Sequence, residues 1–409
     1  MQPPSMLVLL SALLISDSLA VDSTRLAVID RVAVYAVQAR GFPGVAIAAG
    51  RGGSVVWKKG YGRLDYGSHS RPVDPDRTLY DLASLTKVVA TTTAVMILYD
   101  EGKLRLEDRV GRWLPEYSYG PKYSVTIRDL LTHRGGLPSG RSLSRPASRA
   151  RKQVLDAPLV LMPGTREIYS DLGPDVLAFV VERITGERFD AFVTRRVFRP
   201  LGMRSTRFNP PRDWRSRVAP TEVSSPRGYA LRGEVHDENA WALGGVAGHA
   251  GLFSTAGDLS IFAQMMLNGG THRGVRLVSD STVRLFTTRA AGWRALGWET
   301  CYGGGSCGHY LSERAYGHTG YAGTSIWIDP DRRSYSIVLT NWVHGGSAGR
   351  VAPVAILADV RADVSDIVAL AAADPFLPPP PMPDRFRADR KIGWAEQPPV
   401  AKDEVGIRF

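Results

Sequence analysis

The pattern of hydrophobic and polar positions changes character twice along the chain. Residues 24 to 40 carry apolar side chains at helical spacing and stop at Gly41. The runs Gly44 to Ala49 and Ser54 to Lys58 flank a Gly52-Gly53 turn and predict a β-hairpin. Between Lys87 and Asp100 there is no charged residue, no Gly and no Pro. Its apolar residues lie nearly all round, which predicts a helix buried on every side and ended by Gly102. Leu104 to Tyr117 reads as a loop-rich connection. Short helices are expected at Thr126 to Leu131, Pro174 to Ile184 and Phe189 to Phe198, and Thr255 with Asp258 forms a capping box opening a helix through Met266. From Gly297 onward strands take over, at Leu296 to Cys301, Ala322 to Ile328 and Ser334 to Asn341. A last helical stretch, Val351 to Ala372, precedes a proline-rich tail, Pro375 to Phe409, expected to be extended or disordered. Strands at both ends with helices between predict an α+β fold. One antiparallel sheet would be built from about 21–80 and 280–374, with flanking helices and a mostly helical inserted subdomain at about 81–279.

The chain of 409 residues, 44% hydrophobic, can bury a large core. An apolar run from Met6 to Ile15 leads to Ser18-Leu19-Ala20, a small-x-small cleavage pattern. Residues 1–20 therefore read as a signal peptide, although no basic residue precedes the run, and the protein is expected to be periplasmic or secreted. The run is too short to span a bilayer, and no later segment reaches membrane length. The only cysteines, Cys301 and Cys307, enclose a glycine-rich loop, and in an exported protein they predict a disulfide. Adding His309 would supply only three ligands for zinc. The net charge of +11 includes the run Arg141, Arg145, Arg149, Arg151, Lys152. With no interleaved aromatics it reads as a solvated basic loop, not a nucleic-acid surface.

The candidate chemistry sits at Ser84 and Lys87. A lone ammonium at the head of a buried helix is costly unless it is paired or serves as a base. Ser84, one turn before it, would share its face as a nucleophile beside that base. A capping serine and a snorkelling lysine would leave the same spacing. Composition favours chemistry, because only 8 of the 51 basic residues are Lys and Lys87 alone has Ser three positions before it.

Ser84-Leu85-Thr86-Lys87, then Tyr169-Ser170-Asp171, then His318-Thr319-Gly320 have the order and spacing of three active-site motifs. In this the chain resembles penicillin-recognising serine hydrolases, the family of class C β-lactamases, D-Ala-D-Ala carboxypeptidases and related esterases. The resemblance runs from about residue 25 to about 372 and takes in Leu130 to His133, Pro200 to Met203, Gly248 to Thr255 and Trp327 to Pro330. It implies a β-lactamase/transpeptidase-like fold and an acyl-enzyme on Ser84, with Lys87 taking the proton directly or through Tyr169. It also implies an oxyanion hole from the Ser84 and Tyr321 N–H groups, and substrate contacts from Asp171, His318, Thr319, Gly320 and Tyr321. The implied substrates are D-Ala-terminated cell-wall peptides, small esters or β-lactams, with no metal or organic cofactor. Two positions depart from the pattern. His318 stands where the family often has Lys, making anion binding pH-dependent, and Asp171 stands where the lactamase pattern has Asn. An ionised Asp171 only accepts hydrogen bonds and would raise the pKa of Lys87, which argues against β-lactam hydrolysis in particular.

Other candidates carry less. His236-Asp237-Glu238-Asn239 lacks a metal-ligand partner set and reads as loop-ordering; His249 reads as a structural loop residue. Gly345-Gly346-Ser347-Ala348-Gly349 fits a nucleophile elbow, but that fold places its histidine after the serine and the last histidine here is His344. The competing readings are a β-lactamase proper and a wall-binding sensor that is acylated with little turnover. Oligomeric state is not encoded in these patterns.

Overall fold

The computed structural model describes residues 21–224, 227–344, 355–372, 381–383 and 386–387. The run expected to be a signal peptide, the elbow-like stretch at 345–349 and nearly all of the proline-rich tail lie outside the described residues. One six-stranded sheet dominates, in the order Ser54–Gly62, Gly44–Arg51, Ser334–Thr340, Thr324–Asp329, Tyr316–Gly320, Glu299–Thr300. Every neighbouring pair is antiparallel.

Strand Gly44–Arg51 is buried on both faces, and its alternation divides the protein into two cores. Val45, Ile47 and Ala49 face helix Val28–Gln38 and the C-terminal helix Ala355–Ala371. Ala46 and Ala48 face the larger core, which holds the segment Lys87–Asp100 and helix Ala256–Leu267. The small side chains on that second face let helix Ala256–Leu267 lie close against the sheet.

The structure corrects several sequence expectations. The strand expected at Leu296 to Cys301 is only Glu299–Thr300, and the one at Ala322 to Ile328 starts at Thr324. A turn intervenes there, in which Gly323 takes φ +118° and its N–H donates to Gly320 O at 3.0 Å. Half of the expected basic loop is helix Ala147–Leu155. Ala150, Val154 and Leu155 give it a buried stripe, and Arg151 pairs with Glu182 at 2.5 Å. At Thr255 only half of the capping box forms: its hydroxyl accepts from Asp258 N–H, but the Asp258 carboxylate turns to Ser205 N–H and Thr206 Oγ1. The full box is at Thr126 and Asp129, opening helix Ile127–Leu131.

Cys301 and Cys307 are joined, with Cα atoms 5.8 Å apart, in a small buried cluster with Ala315 and Trp327. The loop is further held by Asp366 Oδ1, which accepts from the N–H groups of His309 and Tyr310. Because the closed ring is short, the cross-link should contribute about 2 kcal/mol. Cys301→Ala/Cys307→Ala should lower the unfolding free energy by about that amount without abolishing folding. Two free thiols in non-reduced protein by mass spectrometry would show the bond does not form.

Candidate active site

The site begins with a strained turn. Strand Tyr80–Asp81 pairs with Leu252–Ser254, and the next N–H, that of Leu82, donates to Leu252 O at 2.9 Å. Ala83 then takes φ +47°, a conformation costly for a residue with a Cβ. Asp81 Oδ1 holds it by accepting from Ala83 N–H at 2.8 Å. The reversal delivers Ser84 to the start of the buried helix. That helix is wider than an α-helix over Lys87–Thr92 and becomes α-helical at Thr93–Asp100, an irregularity frequent at functional sites.

Lys87 is 2% exposed. Its Nζ lies 2.8 Å from Ser84 Oγ, 2.8 Å from Asp171 Oδ1 and 3.4 Å from His249 O, and 4.8 Å from the centroid of the Tyr169 ring. Burial by itself would drive the ammonium to release its proton. The oxygens of Tyr169 and Asp171 outweigh burial, and the net effect raises the Lys87 pKa above its ordinary value.

The second motif is fixed by the segment after helix Ile127–Leu131. Ser170 Oγ donates to Pro138 O, Ser170 N–H donates to His133 Nδ1 at 3.1 Å, and Asp171 N–H donates to Ser139 O. Asp171 occupies the N-cap of helix Leu172–Thr185, yet its side chain makes no capping bond and reaches Lys87 instead. Ordinary N-cap geometry would satisfy its own helix. Here the carboxylate is diverted to the buried cation.

The third motif lies on strand Tyr316–Gly320, whose outer neighbour Glu299–Thr300 covers only Tyr316 and Gly317. Gly320 packs so tightly on the nucleophile turn that a Cβ there would fall 2.4 Å from Leu82 O, and Thr324 Oγ1 donates to the same carbonyl at 2.9 Å. Thr319 is half-buried. The Tyr321 ring is 67% exposed at the rim, stacked on His236 at 5.7 Å.

His318 departs from expectation. It is 1% exposed, its Nδ1 bonds Thr319 O at 2.7 Å, and burial holds its pKa down at about 4. The ring is therefore a neutral packing partner of Tyr169, 6.1 Å away, and is not a pH-dependent anion site near neutrality.

Several residues around the site were not assigned to it from sequence. His133, with φ +55° and a ring 4.6 Å from Tyr169, is likewise held neutral, by burial first and then by the cations Arg294 and Lys87. Arg294 lies 5.3 Å from the Tyr169 ring and pairs with Glu167 at 2.8 Å and Glu299 at 2.9 Å, tying the second motif to the sheet edge. His249 bridges Asp175 and Asp237 at 2.8 and 2.9 Å. Asp237 N-caps helix Glu238–Ala242, and His236 N–H donates to Asp81 Oδ2, so the loop-ordering role expected for this segment is what its bonds perform. Only Leu130 to His133 and Gly248 to Thr255 hinted at these positions. Nothing near Arg294 in the chain marks it among so many arginines.

Asp171, Asp237 and His249 bring potential ligand atoms within 4.8 Å of one another. Both His249 nitrogens already bond carboxylates and Lys87 already pairs with Asp171, so protein cations fill the role a metal would have there.

The model of the Beta-lactamase family matches residues 29–360. A putative D-alanyl-D-alanine carboxypeptidase of Escherichia coli K12 is 35% identical over 350 residues, covering 74% of this chain and 79% of its own. An N-acetylmuramyl-L-alanine amidase of Bacillus subtilis is 34% identical over 348 residues, covering 75% and 78%. A penicillin-binding protein homologue of Caulobacter crescentus shares the fold, with a TM-score of 0.68 at 21% identity over 85% of this chain and 98% of that one. With that match across most of its length, the chain belongs to the Beta-lactamase family and is a serine hydrolase.

Proposed function

We propose that this protein is an exported amidohydrolase that works through an acyl-enzyme on Ser84 and removes the terminal D-alanine from cell-wall stem peptides. The observation that carries this is the 2.8 Å contact between Ser84 Oγ and a buried Lys87 Nζ. The name of the E. coli relative supports the substrate class. Export rests on the leader-like run and the cysteine pair, and no helix among the described residues is long and apolar enough to cross a membrane.

In the proposed reaction Ser84 Oγ attacks the scissile carbonyl as its proton passes to neutral Lys87, directly or through Tyr169. The backbone N–H groups of Ser84 and Tyr321 face the developing oxyanion, a donation worth about 10²–10³ in rate per group. Tyr169 returns the proton to the departing amine, and water then releases the acyl group. Arg294 and the neutral rings of His133 and His318 hold the phenol in place. A second reading is cleavage of the amide joining muramic acid to L-alanine, supported by the B. subtilis relative's name. The neutral, buried His318 favours it, because the position where the family often carries a cation offers no charge to a terminal carboxylate.

Incubation with a muramyl pentapeptide separates the two readings: free D-alanine supports the first and a released L-alanyl peptide the second. Absence of both products, with esters turned over, would contradict each. Ser84→Ala should reduce either activity by about 10³-fold or more, and an acylating probe should label the intact protein once, on the peptide containing Ser84. Labelling elsewhere would overturn the assignment.

Asp171 tunes the base. Its carboxylate favours the charged form of Lys87, so activity should rise with pH as Lys87 loses its proton, at a midpoint above the ordinary range. Asp171→Asn removes that charge and should move the midpoint to lower pH. It also restores an amide donor, so β-lactam turnover should rise relative to ester turnover. An unchanged pH–rate profile and an unchanged ratio would remove Asp171 from the site.

A further inference from the structure

Behind Lys87 lies a second charge cluster, buried at Asp175 and His249 and half-buried at Asp237, that the proposed reaction does not use. Asp175 is fully buried in the first turn of helix Leu172–Thr185, and its Oδ1 accepts from Gly248 N–H at 2.8 Å, His249 N–H at 3.3 Å and His249 Nδ1 at 2.8 Å. His249 Nε2 reaches Asp237 Oδ1 at 2.9 Å, and that same oxygen caps Ala240 N–H. Burial would discharge the ring, but the flanking carboxylates outweigh it, so His249 is held protonated well above an ordinary histidine. The backbone of this loop is equally constrained. Thr91 Oγ1 donates to Gly248 O at 2.6 Å, and a Cβ on Gly248 would fall 1.9 Å from Pro174 O. The loop is thus held against Thr91 and Pro174, and it presents His249 O to Lys87 Nζ at 3.4 Å.

We propose that Asp175, His249 and Asp237 form a positioning unit that sets the proton affinity of Lys87. Asp237 lies within reach of Lys87's field, since the lysine helps depress the Asp237 pKa. Left alone, that carboxylate would add to Asp171 and hold Lys87 still more firmly protonated. The His249 imidazolium, shared between Asp237 and Asp175, offsets part of that charge, while the clamped carbonyl fixes where Nζ sits. The other groups facing Lys87 are Ser84, Tyr169 and Asp171, with His133 and His318 neutral beyond them and Arg294 behind the phenol. Facing His249 are Asp175, Asp237, Asp171, whose carboxylate lies within 4.8 Å of a His249 ring nitrogen, and, across its own carbonyl, Lys87.

This rests on Lys87 serving as the base for Ser84, and the test separates the two claims. The rate of Ser84 acylation by one chromogenic ester is measured against pH in the full chain and in two variants. Asp237→Asn keeps an oxygen to accept from Ala240 N–H and His249 Nε2 and removes only charge. Its midpoint should fall by roughly 1 pH unit. His249→Gln removes the balancing cation, and its midpoint should rise by roughly the same amount, with acylation slowed at neutral pH. Opposite shifts of these signs are the expected result. A parent protein that is not acylated at Ser84 overturns the underlying reading. A parent acylated normally, with either midpoint unmoved or both moving the same way, overturns the positioning unit. Should His249→Gln fail to fold, the direction of the Asp237→Asn shift decides alone.

Discussion

A single ammonium with almost no access to water governs the architecture around it. Lys87 cannot remain charged in an apolar helix packing unless oxygens replace its hydration shell, because an unpaired buried charge costs several kcal/mol. The chain brings them from four places far apart in sequence: the nucleophile turn, the second motif, the Gly248–His249 loop and, at longer range, Asp237. Much of the surrounding geometry follows from that need. Asp171 turns from its own helix to reach the lysine, Ser170 Oγ accepting from the Leu172 N–H instead, and Ala83 accepts a left-handed backbone so that Ser84 lands beside it.

The two cores divide the labour. The terminal helices bury one face of the sheet, and from the C-terminal one Arg361 Nη2 donates to Gly320 O at 2.7 Å and Thr324 O at 2.9 Å, bracing the third-motif strand from behind. The other face carries the helix with Lys87 and the strand with the third motif, bound to each other where Gly320 and Thr324 meet Leu82 O. The sheet edge and the nucleophile turn therefore keep a fixed distance, as a preorganised acyl-transfer site requires. Around Tyr169 the selection is of a different kind: two histidines are kept neutral by burial, and Lys87 and Arg294 beside the phenol are each balanced, the one by Asp171 and the other by Glu167 and Glu299.

How much of this could be read in advance depended on whether a feature was local. A charge-free run from Val88 to Tyr99 announces a buried helix, and a serine one turn before its lysine announces a reactive pair. Both needed only spacing. The short helix from Thr126 to Leu131 and the hairpin from Gly44 to Lys58 were visible for the same reason. What spacing could not convey was the destination of long side chains. Arg294 meets Glu167 across 127 residues, and Asp175 meets His249 across 74. Whether the His318 ring opens to solvent is set by packing against Tyr169 and cannot be inferred from the motif. The basic stretch read as loop because its arginines mask a narrow apolar stripe. The lateral extent of the last strands was overestimated where glycine turns interrupt an apolar pattern.

The central claim is that Lys87 is a buried cation whose proton is held by the carboxylate and phenol oxygens around it. With only eight lysines in the chain, selective labelling of lysine side chains followed by an NMR titration of the intact protein can follow Lys87 individually, assigned by its loss in Lys87→Arg. The account predicts that Lys87 titrates above the ordinary lysine value of about 10.4. Titration well below that value would mean that desolvation prevails over the surrounding oxygens, and would contradict it.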